Sequence, residues 1–388
     1  MKYNFDEIID RYNTNSLKYD FKKERNMPLD VNPFWVADMD FKSLPEISEA
    51  LIERCNHGIY GYSEPKQDYY DALKKWYKDR FDFSFKENEV VITPGIVFAI
   101  CTAITAFTEE NQGVMIQKPV YYPFSSSIEM NNRKIVNNHL VYEDGKYKID
   151  FKDFENQIKE ENVKLFILCN PHNPVGKVWS KEELTLLGEI CLRNNVLVIS
   201  DEIHSDFVYE GFKHTVFSEI SEKFAEITIT CTSPSKTFNL AGLQLSNIII
   251  KNNKILKKFK KELHKTGYSQ PNIMGLISAQ AAYTHGAKWV DELLVYLKNN
   301  IELAKEIIKE IFPTAHVINP EGTYLLWIDF RSLGIPAEKL DKLIVEKAKL
   351  WLDGGTMFGQ EGDGFQRINI ACPKESLKKA LYSLKNIL

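Results

Sequence analysis

Between Val90 and Ile250 the chain alternates short apolar runs with stretches of helical length, and this alternation constrains the fold more than any other feature. Val90-Val91-Ile92-Thr93 leads through a Pro-Gly turn into the apolar stretch Ile96 to Phe107. Val114 to Gln117, Lys164 to Cys169, Val196 to Ser200, Ile227 to Thr232 and Asn247 to Ile250 follow. Short runs rich in β-branched residues and lacking polar alternation are strands buried on both faces. Separated by helical lengths, they predict a largely parallel sheet between two helical layers: an α/β fold with a three-layer αβα large domain. The segment Lys181 to Asn194 carries its own start signal, with Ser180 as N-cap and Glu183 three residues on, a capping box.

Beyond residue 286 the pattern changes. Val290, Leu293, Leu294, Leu297, Ile301, Ala304, Ile308 and Ile311 mark one face of a helix of about 24 residues, about 36 Å long. Thr323 to Asp329, Leu340 to Leu350 and a closing helix from Glu375 predict a smaller α+β domain. The large domain is expected at 46–285. The small one is expected at 1–45 plus 286–388, with the N-terminal segment packing back onto it and a cleft between the two.

Bulk properties exclude several functions. With 44% hydrophobic and 26% charged residues the chain is of ordinary soluble globular type. A net charge of −4 gives no reason to expect nucleic acid or an anionic membrane. Met1 to Glu7 opens with acids, so no secretory signal is expected, and no apolar stretch approaches the about 20 residues of a membrane span. Six cysteines stand far apart without a C-x-x-C pair, and eight histidines show no H-E-x-x-H spacing. Buried reduced thiols, no metal site and a cytoplasmic location are the expectation.

Four segments at expected strand ends carry the chemistry. Lys236 lies in Ser233-Pro234-Ser235-Lys236-Thr237, where an amine can condense with an aldehyde while the hydroxyls of Ser233 and Ser235 hold a phosphate. Asp201 closes the strand before Ser200-Asp201-Glu202-Ile203-His204. A lysine for a Schiff base and a carboxylate for a pyridinium nitrogen are the pair that pyridoxal 5′-phosphate requires. Two adjacent acids could also form a helix cap or a magnesium site. His204, three residues after Asp201, is placed near the same ring. In Asn170-Pro171-His172-Asn173-Pro174-Val175-Gly176 the two Asn-Pro steps predict an extended, rigid path that aims the Asn173 amide at a ring oxygen. In Thr93-Pro94-Gly95-Ile96-Val97 the backbone N–H groups of Gly95, Ile96 and Val97 face a phosphate at a helix N-terminus. Gly354 to Gly359 reads as a flexible loop beside the site, and Lys254 to Lys265 as a solvated helix face.

Together these segments resemble the fold-type I pyridoxal phosphate enzymes of the class I/II aminotransferase superfamily over essentially the full length. Trp35-Val36-Ala37-Asp38-Met39-Asp40-Phe41, Tyr60-Gly61-Tyr62-Ser63, Asp201-Glu202-Ile203-His204 and Arg367-Ile368-Asn369-Ile370-Ala371-Cys372-Pro373 resemble its cystathionine β-lyase (MalY/PatB-type C–S lyase) branch. The resemblance implies a Schiff base at Lys236, Asp201 on the ring nitrogen, Asn173 on the ring 3′-oxygen and Tyr121 stacked on the ring. It implies that Arg367 clamps the substrate α-carboxylate bidentately beside Ala37 and Asn173. It also implies a homodimer in which Tyr62 reaches the phosphate of the neighbouring subunit's site. Many aminotransferases carry a tyrosine where this chain has His204 and an arginine where it has Gln244, which leaves more of the phosphate to hydroxyls and backbone. The implied reaction is α,β-elimination from L-cystathionine or a related L-cysteine S-conjugate, giving a thiol, pyruvate and ammonia in methionine metabolism. The alternatives are a class I/II aminotransferase and a regulatory protein of the same fold with residual lyase activity.

Overall fold

The computed structural model describes residues 2–388. Seven strands form the larger sheet: β1 (Val90–Thr93), β2 (Gly113–Ile116), β3 (Lys134–Asn137), β4 (Leu165–Cys169), β5 (Leu197–Asp201), β6 (Thr228–Thr232) and β7 (Ser246–Ile249). Their spatial order is β1-β7-β6-β5-β4-β2-β3. Only β7 runs against its neighbours; the other pairings are parallel. The mostly parallel α/β sheet expected from the sequence is therefore present, with one reversed strand that its apolar composition could not announce.

Successive side chains on a strand point to opposite faces, and here both faces are covered. Leu165, Ile167 and Ile199 pack with Ile100, Ala103 and Ile104 of α1 (Ile96–Phe107). Phe166, Leu168 and Val198 pack with Leu184 and Leu187 of α2 (Lys181–Arg193) on the other side. The capping box at the start of α2 forms in both directions: Glu183 N–H donates to Ser180 Oγ at 3.1 Å, and Ser180 N–H to Glu183 Oε2 at 2.8 Å. After β6 comes α3 (Pro234–Thr237), a single turn.

Gly286 lies between α4 (Ile273–His285) and the 25-residue α5 (Ala287–Ile311). A second sheet follows, with β8 (His316–Val317), β9 (Leu325–Asp329), β10 (Asp353–Gly354) and β11 (Phe365–Asn369) in the order β8-β9-β11-β10. The closing helix is α6 (Lys374–Ser383). The N-terminal segment joins this region: Asn32–Pro33 pairs with Leu350–Trp351, and Asp40 N–H donates to Ala371 O at 2.9 Å. Arg11 and the buried Lys18 tie the same segment down through Asp38 and Asp40.

Three expectations need correction, and the stretch Leu340 to Leu350 gains its detail. Asn170 to Gly176 does not run extended; it folds into a tight turn, with His172 N–H on Lys177 O at 2.7 Å and Gly176 N–H on His172 O at 2.8 Å. Gly354 to Gly359 is a packed turn: Phe358 is buried, and a Cβ on Gly355 would lie 1.9 Å from Gly362 O. Leu340 to Leu350 divides into a helix (Ala337–Glu346) and the strand Leu350–Trp351. Of the thiols expected to be buried, Cys55 is exposed and Cys101 half-buried, while Cys169, Cys191, Cys231 and Cys372 are buried. Among the described residues no helix is long and apolar enough to cross a membrane.

Candidate active site

The strands β4, β5 and β6 end side by side, with Cys169 opposite Asp201 and Asp201 opposite Cys231. The segments that leave this edge, where open α/β sheets bind ligands, therefore converge. They enclose a pocket at this edge. Lys236, Asp201, Asn173, Tyr121 and His204 line it. So do Gly95, Ile96 and Val97 from the start of α1, Ser233 and Ser235 from α3, and Ala37 from the N-terminal segment.

Lys236 projects from α3, and its amine donates to Ala37 O at 2.7 Å. Tyr324 Oη donates to the same carbonyl at 2.9 Å. Burial lowers the lysine's pKa to about 8, partly opposed by the charge of Asp38 and reinforced by that of Arg367. Asp201 is buried, accepts one bond from Ile203 N–H at 3.2 Å, and is raised to about 7 by that burial. His204 is buried with Nδ1 unpartnered; desolvation, then the charges of Lys236 and Arg367, lower it to about 3, so the ring is neutral at neutral pH. Tyr121 is held by its N–H on Asn173 O at 3.0 Å, and burial pushes its hydroxyl well up.

Asn173 has a defined orientation. Arg367 can only donate, and its NH1 lies 2.9 Å from Asn173 Oδ1, so the amide NH2 is the end left to donate into the pocket. Ser233 caps α3: it accepts from Ser235 N–H at 3.1 Å and donates to Leu245 O at 2.8 Å, with the Ser235 hydroxyl 2.9 Å from its own. At the opposite wall the first intrahelical bond of α1 is Ala99 N–H to Gly95 O, so the N–H groups of Ile96 and Val97 have no helical partner. A Cβ on Gly95 would meet no protein atom within 4 Å. The chain's own packing does not require glycine there, and the open backbone suits a ligand phosphate.

Two expected residues stand apart. Arg367 lies outside the pocket lining, behind Asn173, and is paired with Asp353. Tyr62 is 96% exposed, in a neighbouring hollow that shares Pro94 and Gln244 with the pocket. Sequence reasoning missed several contributors. Asn369 Nδ2 donates to Val36 O and Asp38 O, both at 2.6 Å, and Asn239 brackets Met39 through bonds of 2.9 and 2.8 Å to its N–H and O. These amides fix the segment that presents Ala37 O to Lys236. Asn369 lies inside a motif singled out from the sequence and Asn239 two residues beyond another, but nothing local signals partners 200 or more residues away.

The arrangement fits pyridoxal phosphate. A sealed carboxylate with no ion-pair partner in contact suits a protonated ring nitrogen, and a depressed lysine suits an aldehyde. An orphan imidazole nitrogen, an oriented amide and a wall of free N–H groups suit the ring oxygen and phosphate.

Fold and site together define an αβα protein with a buried lysine and a buried carboxylate in one pocket at a sheet edge. The family model for "Aminotransferase class I and II" matches residues 27–384, and the chain belongs to that family. It is 42% identical to cystathionine beta-lyase PatB of Bacillus subtilis, over 99% of this chain and 100% of that protein. Among solved structures, cystalysin from Treponema denticola, which contains a pyridoxal 5′-phosphate cofactor, superposes with a TM-score of 0.96 at 38% identity, covering 100% and 99% of the two chains. The pyridoxal-phosphate-bound C–S lyase from Staphylococcus hominis superposes at 0.94 and 36% identity, covering 100% and 98%.

Proposed function

We propose that the protein is a pyridoxal-phosphate-dependent C–S β-lyase that cleaves L-cystathionine or related L-cysteine S-conjugates to a thiol, pyruvate and ammonia. The observation that carries the reading is the single pocket holding a depressed lysine amine and a sealed carboxylate, Lys236 and Asp201, in a chain similar to C–S lyases along its whole length.

When bound, the cofactor supplies an aldehyde that joins to amines and a ring that withdraws electrons from the substrate's Cα. Ser235 and the N–H groups of Ile96 and Val97 hold its phosphate, and Asp201 holds the proton on its ring nitrogen. Asn173 would donate to its ring oxygen, with His204 and Tyr121 completing the wall around the ring. Arg367 receives the substrate α-carboxylate. With the cofactor bound, the free amine of Lys236 would take the proton from the substrate's Cα. Loss of the thiolate from Cβ and addition of water then give pyruvate and ammonia. With cystathionine the thiol is homocysteine, which places the reaction in methionine metabolism in the cytoplasm. The exposed Tyr62 and the hollow around it support a homodimer in which Tyr62 reaches the partner subunit's phosphate site.

An aminotransferase uses the same groups and returns the proton elsewhere, so the product decides. Wild-type protein is expected to show a visible cofactor band and to release thiol from S-methyl-L-cysteine. Lys236→Ala is expected to lose both, and a Lys236→Ala protein that kept colour and thiol release would refute the assignment.

A further inference from the structure

Arg367 is not a free cation awaiting substrate. It stands on β11 directly opposite Asp353 of β10, and its NH2 donates to Asp353 Oδ2. The same nitrogen donates to Trp35 O at 2.8 Å, and NH1 donates to Asn173 Oδ1 at 2.9 Å. The guanidinium lies over the ring of Phe358, 4.8 Å from its centroid. Arginine and aspartate are both almost fully buried, at 3% and 1% exposure. Of the five N–H donors of an arginine, the buried Nε has no partner in the protein.

We infer that Asp353 is a positioning residue for substrate recognition: it holds the Arg367 guanidinium in one orientation, with donors uncommitted for the α-carboxylate of an amino-acid substrate. The inference rests on the proposed role of Arg367 as that carboxylate's site. A long side chain left free spreads over rotamers, and removing that freedom before the ligand arrives strengthens binding. The register of two hydrogen-bonded strands sets the pair, so it does not need substrate to form. Asp353 also supplies an anion to a buried cation while the site is empty of substrate, when an unpaired charge would be costly. The packed turn after Asp353, closed by Gly355 against Gly362, places Phe358 beneath the guanidinium and fixes its plane.

The test uses the holoenzyme with Asp353→Asn, an isosteric change, and follows the cofactor's visible spectrum. Two ligands are titrated: S-methyl-L-cysteine, and 2-(methylthio)ethylamine, the same molecule without the carboxylate. The substitution is expected to weaken S-methyl-L-cysteine on the order of tenfold or more while leaving the amine unchanged. Asp353→Ser, smaller and still polar, provides the same comparison if the amide packs badly. Equal weakening of both ligands means a general structural role and overturns the inference, as does no weakening of either. A wild-type protein without any cofactor band would instead sink the proposed function itself.

Discussion

The lowered pKa of Lys236 makes a quantitative prediction for the cofactor-free protein. Burial brings the amine from 10.5 to about 8, with Asp38 pulling it up and Arg367 pushing it down. Only the neutral amine attacks an aldehyde. At pH 7 about one-tenth of Lys236 is neutral, against about one in 3,000 for an ordinary lysine, a ratio of about 300. Cofactor-free protein mixed with pyridoxal phosphate is therefore expected to develop its visible band at a rate that rises about tenfold per pH unit below 8 and flattens above it. Dividing by the rate for a short lysine peptide removes the cofactor's own ionisations. The rate ratio is expected to be level below pH 8 and to fall toward pH 10. Asp38→Asn removes the largest upward charge effect and moves the midpoint below 8. A midpoint near 10.5, or a pH-independent ratio, would refute the argument that burial tunes this lysine.

Three further outcomes follow from the geometry. Asp201→Asn is expected to retain a cofactor band but lose turnover on the order of 10²–10³-fold, because a neutral amide cannot hold a proton on the ring nitrogen; steady-state thiol release checks it. Gly355→Ala places a Cβ 1.9 Å from Gly362 O, and overpacking of this kind destabilises by about 1–3 kcal/mol, so both a lower melting temperature and a raised KM from a displaced Phe358 are expected. If Tyr62 acts across a dimer, Tyr62→Ala and Lys236→Ala proteins should each be nearly inactive, while co-expression in equal amounts restores about a quarter of wild-type activity, since half the dimers then carry one intact site of two.

The parts of this protein legible in its sequence are those fixed by local patterning. Leu165 to Cys169 and Leu197 to Asp201 are buried on both faces, so their apolar runs identify the sheet core, and residues at their ends fall at one edge. The Ser180–Glu183 box marks the start of α2 to the residue. What depends on distant partners was hidden. The reversal of β7 is set by pairing with β1 and β6, and no feature of Ser246 to Ile249 encodes direction. The strand β3 went unseen because only Val136 among its residues is buried. The turn at Asn170 to Gly176 is held by bonds of His172 with Gly176 and Lys177, where the Asn-Pro steps alone pointed to an extended path. Asp353 lies in a glycine-rich stretch that reads as mobile, and only the register opposite Arg367 reveals its charge as part of the site.

The most direct test of the central claim is a product balance on purified protein given L-cystathionine with no keto acid present. The account predicts homocysteine, pyruvate and ammonia in equal amounts. No pyruvate, together with amino transfer that appears only when 2-oxoglutarate is added, would contradict it.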